Sequence, residues 1–267
     1  MIPYTRKTLP NGLTVVVNRD RASKLAAVNI LYRVGARNEN PARTGFAHLF
    51  EHLMFRGTRA VENFDLPVQM ASGDNNAFTN NDYTDFYITL PKDNLETALW
   101  LESDRMEGLD ITPAKLEAEK KVVIEEFRQR YLNQPYGDQT MLLRALAYKV
   151  HPYRWAAIGL ATDHIAGATL ADVESFYRAH YRPSNAILSI SADMEEERML
   201  ELAEKWFAPL ADHPSATAAI PQEPVQTQAR RQEVERDVPA STVTVAYHMC
   251  ARTKPDFYTA DLVSDLL

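Results

Sequence analysis

Gly45-Phe-Ala-His48-Leu-Phe-Glu51-His52-Leu-Met-Phe-Arg-Gly57 is the stretch from which the rest of the chain can be read. Residues four apart on a helix share a face, so His48 and His52 can close on one metal ion while Glu51 sits beside them. At about 100° per residue, Phe46, Leu49, Phe50 and Leu53 cover much of the remaining circumference. A helix that is apolar nearly all round is a buried helix. Buried histidine and glutamate must then be paired or coordinated. One reading is a satisfied core cluster without metal. The other is a metal centre with two imidazole ligands, in which the free carboxylate of Glu51 takes the proton from a zinc-bound water whose pKa the metal lowers to about 7. Catalytic zinc usually takes three protein ligands, so the second reading requires one more.

The segment Thr112 to Asn133 supplies it. Thr112 followed by Pro113 reads as an N-cap with proline at the first helical position, and no glycine or further proline interrupts the next twenty residues. The expected apolar stripe is Leu116, Val122, Val123 and Phe127, and Glu119 and Glu126, seven residues apart, project from its middle. Glu117 and Glu125 read as an ordinary solvated face. Glu126 is the candidate third ligand, and Glu119 the residue one shell out that orients a histidine or the water.

Taken together, His48-Leu-Phe-Glu51-His52, the downstream Glu119 and Glu126, and the stretch Gly73-Asp-Asn-Asn-Ala-Phe-Thr-Asn-Asn-Asp-Tyr-Thr84 resemble the inverzincin, or pitrilysin-like, zinc metallopeptidases. That family includes insulin-degrading enzyme and the mitochondrial processing peptidase. Leu9-Pro-Asn-Gly-Leu13, His151-Pro-Tyr153 with Gly159, Phe176-Tyr177 and Tyr181-Arg-Pro-Ser-Asn185 extend the likeness over residues 1 to 210. The resemblance implies one Zn2+ per chain held by His48, His52 and Glu126, with Glu51 as general base and Glu119 supporting the site. It implies a LuxS/processing-peptidase-like fold. It also implies that a strand carrying Asn76, Ala77 and Thr79 lies at a sheet edge and binds the substrate backbone by strand addition, which favours extended or unfolded peptides. Read from the residues alone, Phe78 to Ile88 is a hairpin turning at Asn80, Asn81 and Asp82, and a plain structural hairpin remains an equal reading.

The order of elements reads as α+β, an antiparallel or mixed sheet packed against several helices. Thr8 to Asn18 is a hairpin about Asn11-Gly12, and Leu25 to Val34 is a strand. Asp93 with Glu96 starts a helix through Met106 in a capping-box-like pattern. Asp138 to Val150, Thr169 to His180 and Glu195 to Phe207 read as helices, and Ala186 to Ser191 as a strand. Residues 1–210 form the expected zinc-binding domain. A proline-rich linker follows at 211–230, with Pro214, Pro221 and Pro224. Residues 231–267 read as the opening of a second, truncated domain, with a strand at Val243 to Met249 and a helix from Asp256 to Leu267. The expectation is therefore a fragment that needs a second half, or a homo- or heterodimeric partner, to close its chamber.

Composition narrows the classes of partner. With 45% hydrophobic and 24% charged residues, the chain is of ordinary globular make-up. A net charge of -7 argues against nucleic-acid or anionic-membrane binding through a broad basic surface. No run of 18 apolar residues predicts a transmembrane helix, and Met1-Ile2-Pro3-Tyr4 lacks a signal pattern. The single cysteine, Cys250, excludes an intrachain disulfide, which together point to the cytoplasm. His151 reads as a turn residue, and Trp100, Trp155 and Trp206 as core anchors. The function expected is a zinc endopeptidase. The alternatives are a noncatalytic peptide-binding or assembly subunit of the same family and, more weakly, a structural zinc site, against which stands the lack of a fourth ligand.

Overall fold

A computed structural model of the chain describes residues 2–213 and 219–266. Met1, Pro214 of the linker and Leu267 lie outside the described residues. Asn11-Gly12 reverses the chain as its composition demands. Gly12 has φ +88, a left-handed conformation that L side chains rarely adopt, and a Cβ there would meet that of Ser184 at 2.8 Å. Strand β1 (Thr5–Thr8) thereby folds back on β2 (Thr14–Arg19), Thr8 opposite Thr14. β3 (Leu25–Tyr32) alternates, burying Ala26, Val28, Ile30 and Tyr32, the mark of a strand with one face to the core.

Helix α1 (Phe46–Leu53) carries the histidines, and a short α2 (Asp65–Met70) leads into the hairpin β4 (Asp74–Thr79) and β5 (Thr84–Pro91). α3 (Leu95–Glu107), α4 (Pro113–Phe127), α5 (Gln139–Ala147), α6 (Thr162–Ala166) and α7 (Leu170–His180) precede β6 (Ala186–Ala192), α8 (Glu196–Phe207) and α9 (Phe257–Leu266). The six strands form one mixed sheet in the order β1-β2-β6-β3-β5-β4, with β2 and β6 parallel and the other pairs antiparallel. α3 packs on β3 and β5 and α8 on β2, while α1 lies among β4, α4 and α7. The fold is α+β, as expected.

Four local expectations change. Asp93 and Glu96 make no capping box: α3 starts at Leu95 after a 3-10 turn and has no side-chain cap. Glu96 instead pairs with Lys205 and accepts the Trp206 indole N–H at 3.1 Å, a tertiary use that overrides the local signal. Val122 is exposed, because the buried stripe of α4 runs through Leu116, Glu119, Lys120, Val123 and Phe127, one position away. The helix over Thr112 to Asn133 is α only to Phe127 and passes into a π-helical turn at Arg128–Leu132. Val243 to Met249 is not a strand. No ladder pairs it among the described residues, and Val243, Val245 and Tyr247 stand exposed.

Residues 223–248 lie along α5 and the turn that follows it. Glu223 accepts the backbone N–H groups of Lys149, Val150 and His151 at 2.8, 2.9 and 2.9 Å. Arg230 donates to the carbonyls of Leu146 and Ala147, and the His248 ring stacks on Tyr148 at 4.9 Å. No helix among the described residues is long and apolar enough to cross a membrane.

Candidate metal centre

The centre is built where α1 crosses α4. Phe46, Leu49, Phe50 and Leu53 are all buried, so α1 is gripped on three sides, and Phe50 stacks on Phe176 and Tyr181 at 5.2 Å each. Its N-terminus is fixed by two devices. Gly45 has φ +91 and no room for a side chain, since a Cβ would meet Ile158 O and Ile165 Cδ1 at 2.7 Å each. Buried Glu39 accepts the backbone N–H groups of Gly45 and Ala47, both at 2.9 Å, and the Trp155 indole N–H at 3.1 Å. Burial pushes its carboxyl up to about 8, against the pull of these donors. The Glu39→Ala variant is expected to lose about 1–3 kcal/mol of stability by urea denaturation, because it strands buried donors. A loss below about 0.5 kcal/mol would show that α1 is held by packing alone.

The structure brings the three expected ligands, His48, His52 and Glu126, close to one another. The Nε2 atoms of His48 and His52 lie 3.6 and 3.4 Å from Glu126 Oε2, and one ligand atom from each of the three falls within 4.8 Å of the others. These separations are longer than good hydrogen bonds, so three donor atoms converge without satisfying one another. Buried His48 Nδ1 has no hydrogen-bond partner. Two imidazole nitrogens and a carboxylate oxygen are a donor set that suits zinc. Among the described residues this is the one cluster of its kind.

Glu119, 1% exposed, places Oε2 at 3.4 Å from His52 Nδ1 and pairs through Oε1 with Arg56. Burial lowers the pKa of His48 to about 4. Burial acts in the same sense on His52, but Glu119 and Glu126 outweigh it and lift His52 to about 9. For both glutamates burial is likewise overcome, by His52 and Arg56 at Glu119 and by His52, His48 and Arg130 at Glu126, and both carboxyls are held below their ordinary value. Glu51, outside the three-atom cluster, goes the other way. Burial raises its pKa, opposed by the Thr79 hydroxyl and His52.

β4 is an edge of the sheet, which the residues alone could not show. Asn76 is exposed, and Ala77 and Thr79 are half-buried toward α1. The Ala77 N–H is taken by the side chain of Asn76 at 2.8 Å. His151 is structural, its Nδ1 accepting the Tyr153 N–H at 3.1 Å. Glu117 and Glu125 are solvated and paired with Lys120 and Arg128. Arg56 and Arg130 were missed. Each follows a site residue, His52 and Glu126, by four positions, and that spacing was the available signal. Glu39 offered none, because it caps α1 from outside the usual N-cap position.

Fold and site together define an α+β domain with a cluster of two histidines and a glutamate that could hold a metal beside an open strand, and comparison with known proteins identifies the class. Residues 14–156 match the family profile described as Insulinase (Peptidase family M16), and residues 167–267 that described as Peptidase M16 inactive domain. The chain belongs to peptidase family M16. Among its relatives is the zinc protease PqqE of Helicobacter pylori, 35% identical over 266 residues, 97% of this chain and 60% of that protein. Another is the probable mitochondrial-processing peptidase subunit beta of Arabidopsis thaliana, 26% identical, covering 95% of this chain and 48% of that one. The crystal structure of a protease from Helicobacter pylori superposes with a TM-score of 0.83 at 34% identity, over 86% of this chain and 56% of that one. The chain thus spans about half to three-fifths of the length of these relatives.

Proposed function

We propose that this chain is the zinc-binding half of a metalloendopeptidase that cleaves extended peptides. The observation that carries the reading is the convergence of His48, His52 and Glu126 next to the open edge of β4, with Glu51 between that cluster and Thr79. The three side chains would hold the metal, and Glu119, paired with Arg56, keeps His52 in place. Zinc held there would lower the pKa of a water to about 7 and polarise a carbonyl. A peptide pairing with β4 displaces the Asn76 side chain from the Ala77 N–H and lays its backbone across Glu51. Glu51 accepts the proton of the attacking water at its carboxylate. Glu51 then passes that proton to the leaving amine.

The partition that accompanies this reading is a zinc domain over 1–210, a connector over 211–230 and the opening of a second domain from 231. A complementary half, in the same polypeptide or in a partner, completes the chamber. The second reading, a peptide-binding or assembly subunit without turnover, draws on the inactive-domain profile matched over 167–267. Metal content tests the common ground. Elemental analysis is expected to find near-stoichiometric zinc in the wild type and clear loss in Glu126→Gln. No zinc in the wild type after saturation and buffer exchange would remove the ligand assignment.

A further inference from the structure

The two carboxylates that α4 sends into the site are divided in the same way. Glu126 turns Oε2 toward both histidines, and its other oxygen, Oε1, lies 2.9 Å from Arg130 Nη2. Glu119 turns Oε2 toward His52 and gives Oε1 to Arg56. Arg130 is not held there by burial, since its side chain is 65% exposed. Its position comes from the π-helical turn Arg128–Leu132 that follows α4 directly, closed by the Asn133 N–H on the Arg128 carbonyl at 2.8 Å. Such turns recur at functional sites.

The division has a consequence for the choice of metal. Zinc is content with four ligands, a carboxylate supplying one oxygen among them, whereas harder cations such as manganese and calcium favour more oxygen ligands and often take both from one carboxylate. A guanidinium on Oε1 occupies one of the two lone-pair sites of that oxygen, and its charge repels a cation approaching there. We propose that Arg130 is a positioning residue that restricts Glu126 to a single ligating oxygen and so sets the preference of the site for zinc over oxygen-seeking divalent ions. The inference rests on the assignment of His48, His52 and Glu126 as metal ligands.

The test is equilibrium competition of metal-free protein for zinc and for manganese, each against a chelating indicator, in wild type, Arg130→Gln and Arg130→Lys. Loss of a positive charge alone would strengthen both metals alike. Loss of the restraint strengthens manganese more, so Arg130→Gln is expected to narrow the zinc-to-manganese preference by about tenfold, the scale on which outer partners tune metal sites. Arg130→Lys, which keeps the charge and one donor to Oε1, is expected to retain most of the preference. Thermal melting of the metal-free variants should match wild type, because the side chain is exposed. Parallel movement of both metals in Arg130→Gln, with wild type binding zinc and Glu126→Gln losing it, overturns the role of Arg130 alone. A wild type that binds neither metal overturns the ligand assignment and this inference with it.

Discussion

Glu51→Gln is expected to lower peptide hydrolysis by about 10²- to 10⁴-fold while leaving zinc content intact. The comparison requires a preparation in which the wild type turns over an extended peptide, alone or assembled with its complementary half. Glutamine keeps the volume of the side chain and can still meet the Thr79 hydroxyl, but it cannot accept a proton. Glu51 is outside the three-atom ligand cluster, so metal retention and activity should separate cleanly. Ligand variants such as Glu126→Gln should lose both together. A Glu51→Gln protein working within about twofold of wild type would place the proton acceptor elsewhere.

The second large effect lies in α3, in the buried pair of Glu102 and Arg105. They are 0% and 1% exposed, joined by Arg105 Nε to Glu102 Oε2 at 2.7 Å and by Nη2 to Oε1 at 2.5 Å. The guanidinium lies 4.2 Å from the ring centre of Phe86 and 4.3 Å from that of Phe64, and Nη1 has no partner. Removing one member leaves an uncompensated charge in an apolar shell. Arg105→Ala is expected to cost about 3–5 kcal/mol by urea denaturation. The double variant Glu102→Leu/Arg105→Met should recover most of that loss, because well-packed apolar residues often replace a buried pair at little cost. A loss under about 1 kcal/mol in Arg105→Ala would mean that water or a rearranged partner reaches Glu102. Phe55, two residues past the end of α1, also faces the guanidinium at 5.7 Å.

The local chemistry of the centre was legible because it repeats on helical spacing. His48, Glu51 and His52 on one helix, and Glu119 and Glu126 seven apart on another, are patterns that α-helical geometry turns into shared faces. Thr112-Pro113 began its helix as its chemistry requires, the Thr112 side chain accepting the Lys115 N–H at 3.2 Å. Signals failed where a distant partner outbid a local one. Glu96 left its capping position for Lys205 and Trp206 on α8. Residues 243–249 have the alternation of a strand, yet a strand is made by a neighbour, and no described neighbour pairs there.

By itself, then, the sequence determined the elements that carry His48, His52 and Glu126, the faces those side chains share on each helix and the α+β class, since each follows from periodicities of a few residues. Only the tertiary structure decided that β4 is an edge and that β6 pairs with β2 from more than 170 residues away, Thr14 opposite Ile187. It alone placed Glu39 under the N-terminus of α1. It also gave one oxygen of each α4 carboxylate to an arginine and the other to the site. Edges, long-range registers and the sharing of a carboxylate are properties of packing, set by which surfaces must be buried together, and short-range spacing holds no record of them.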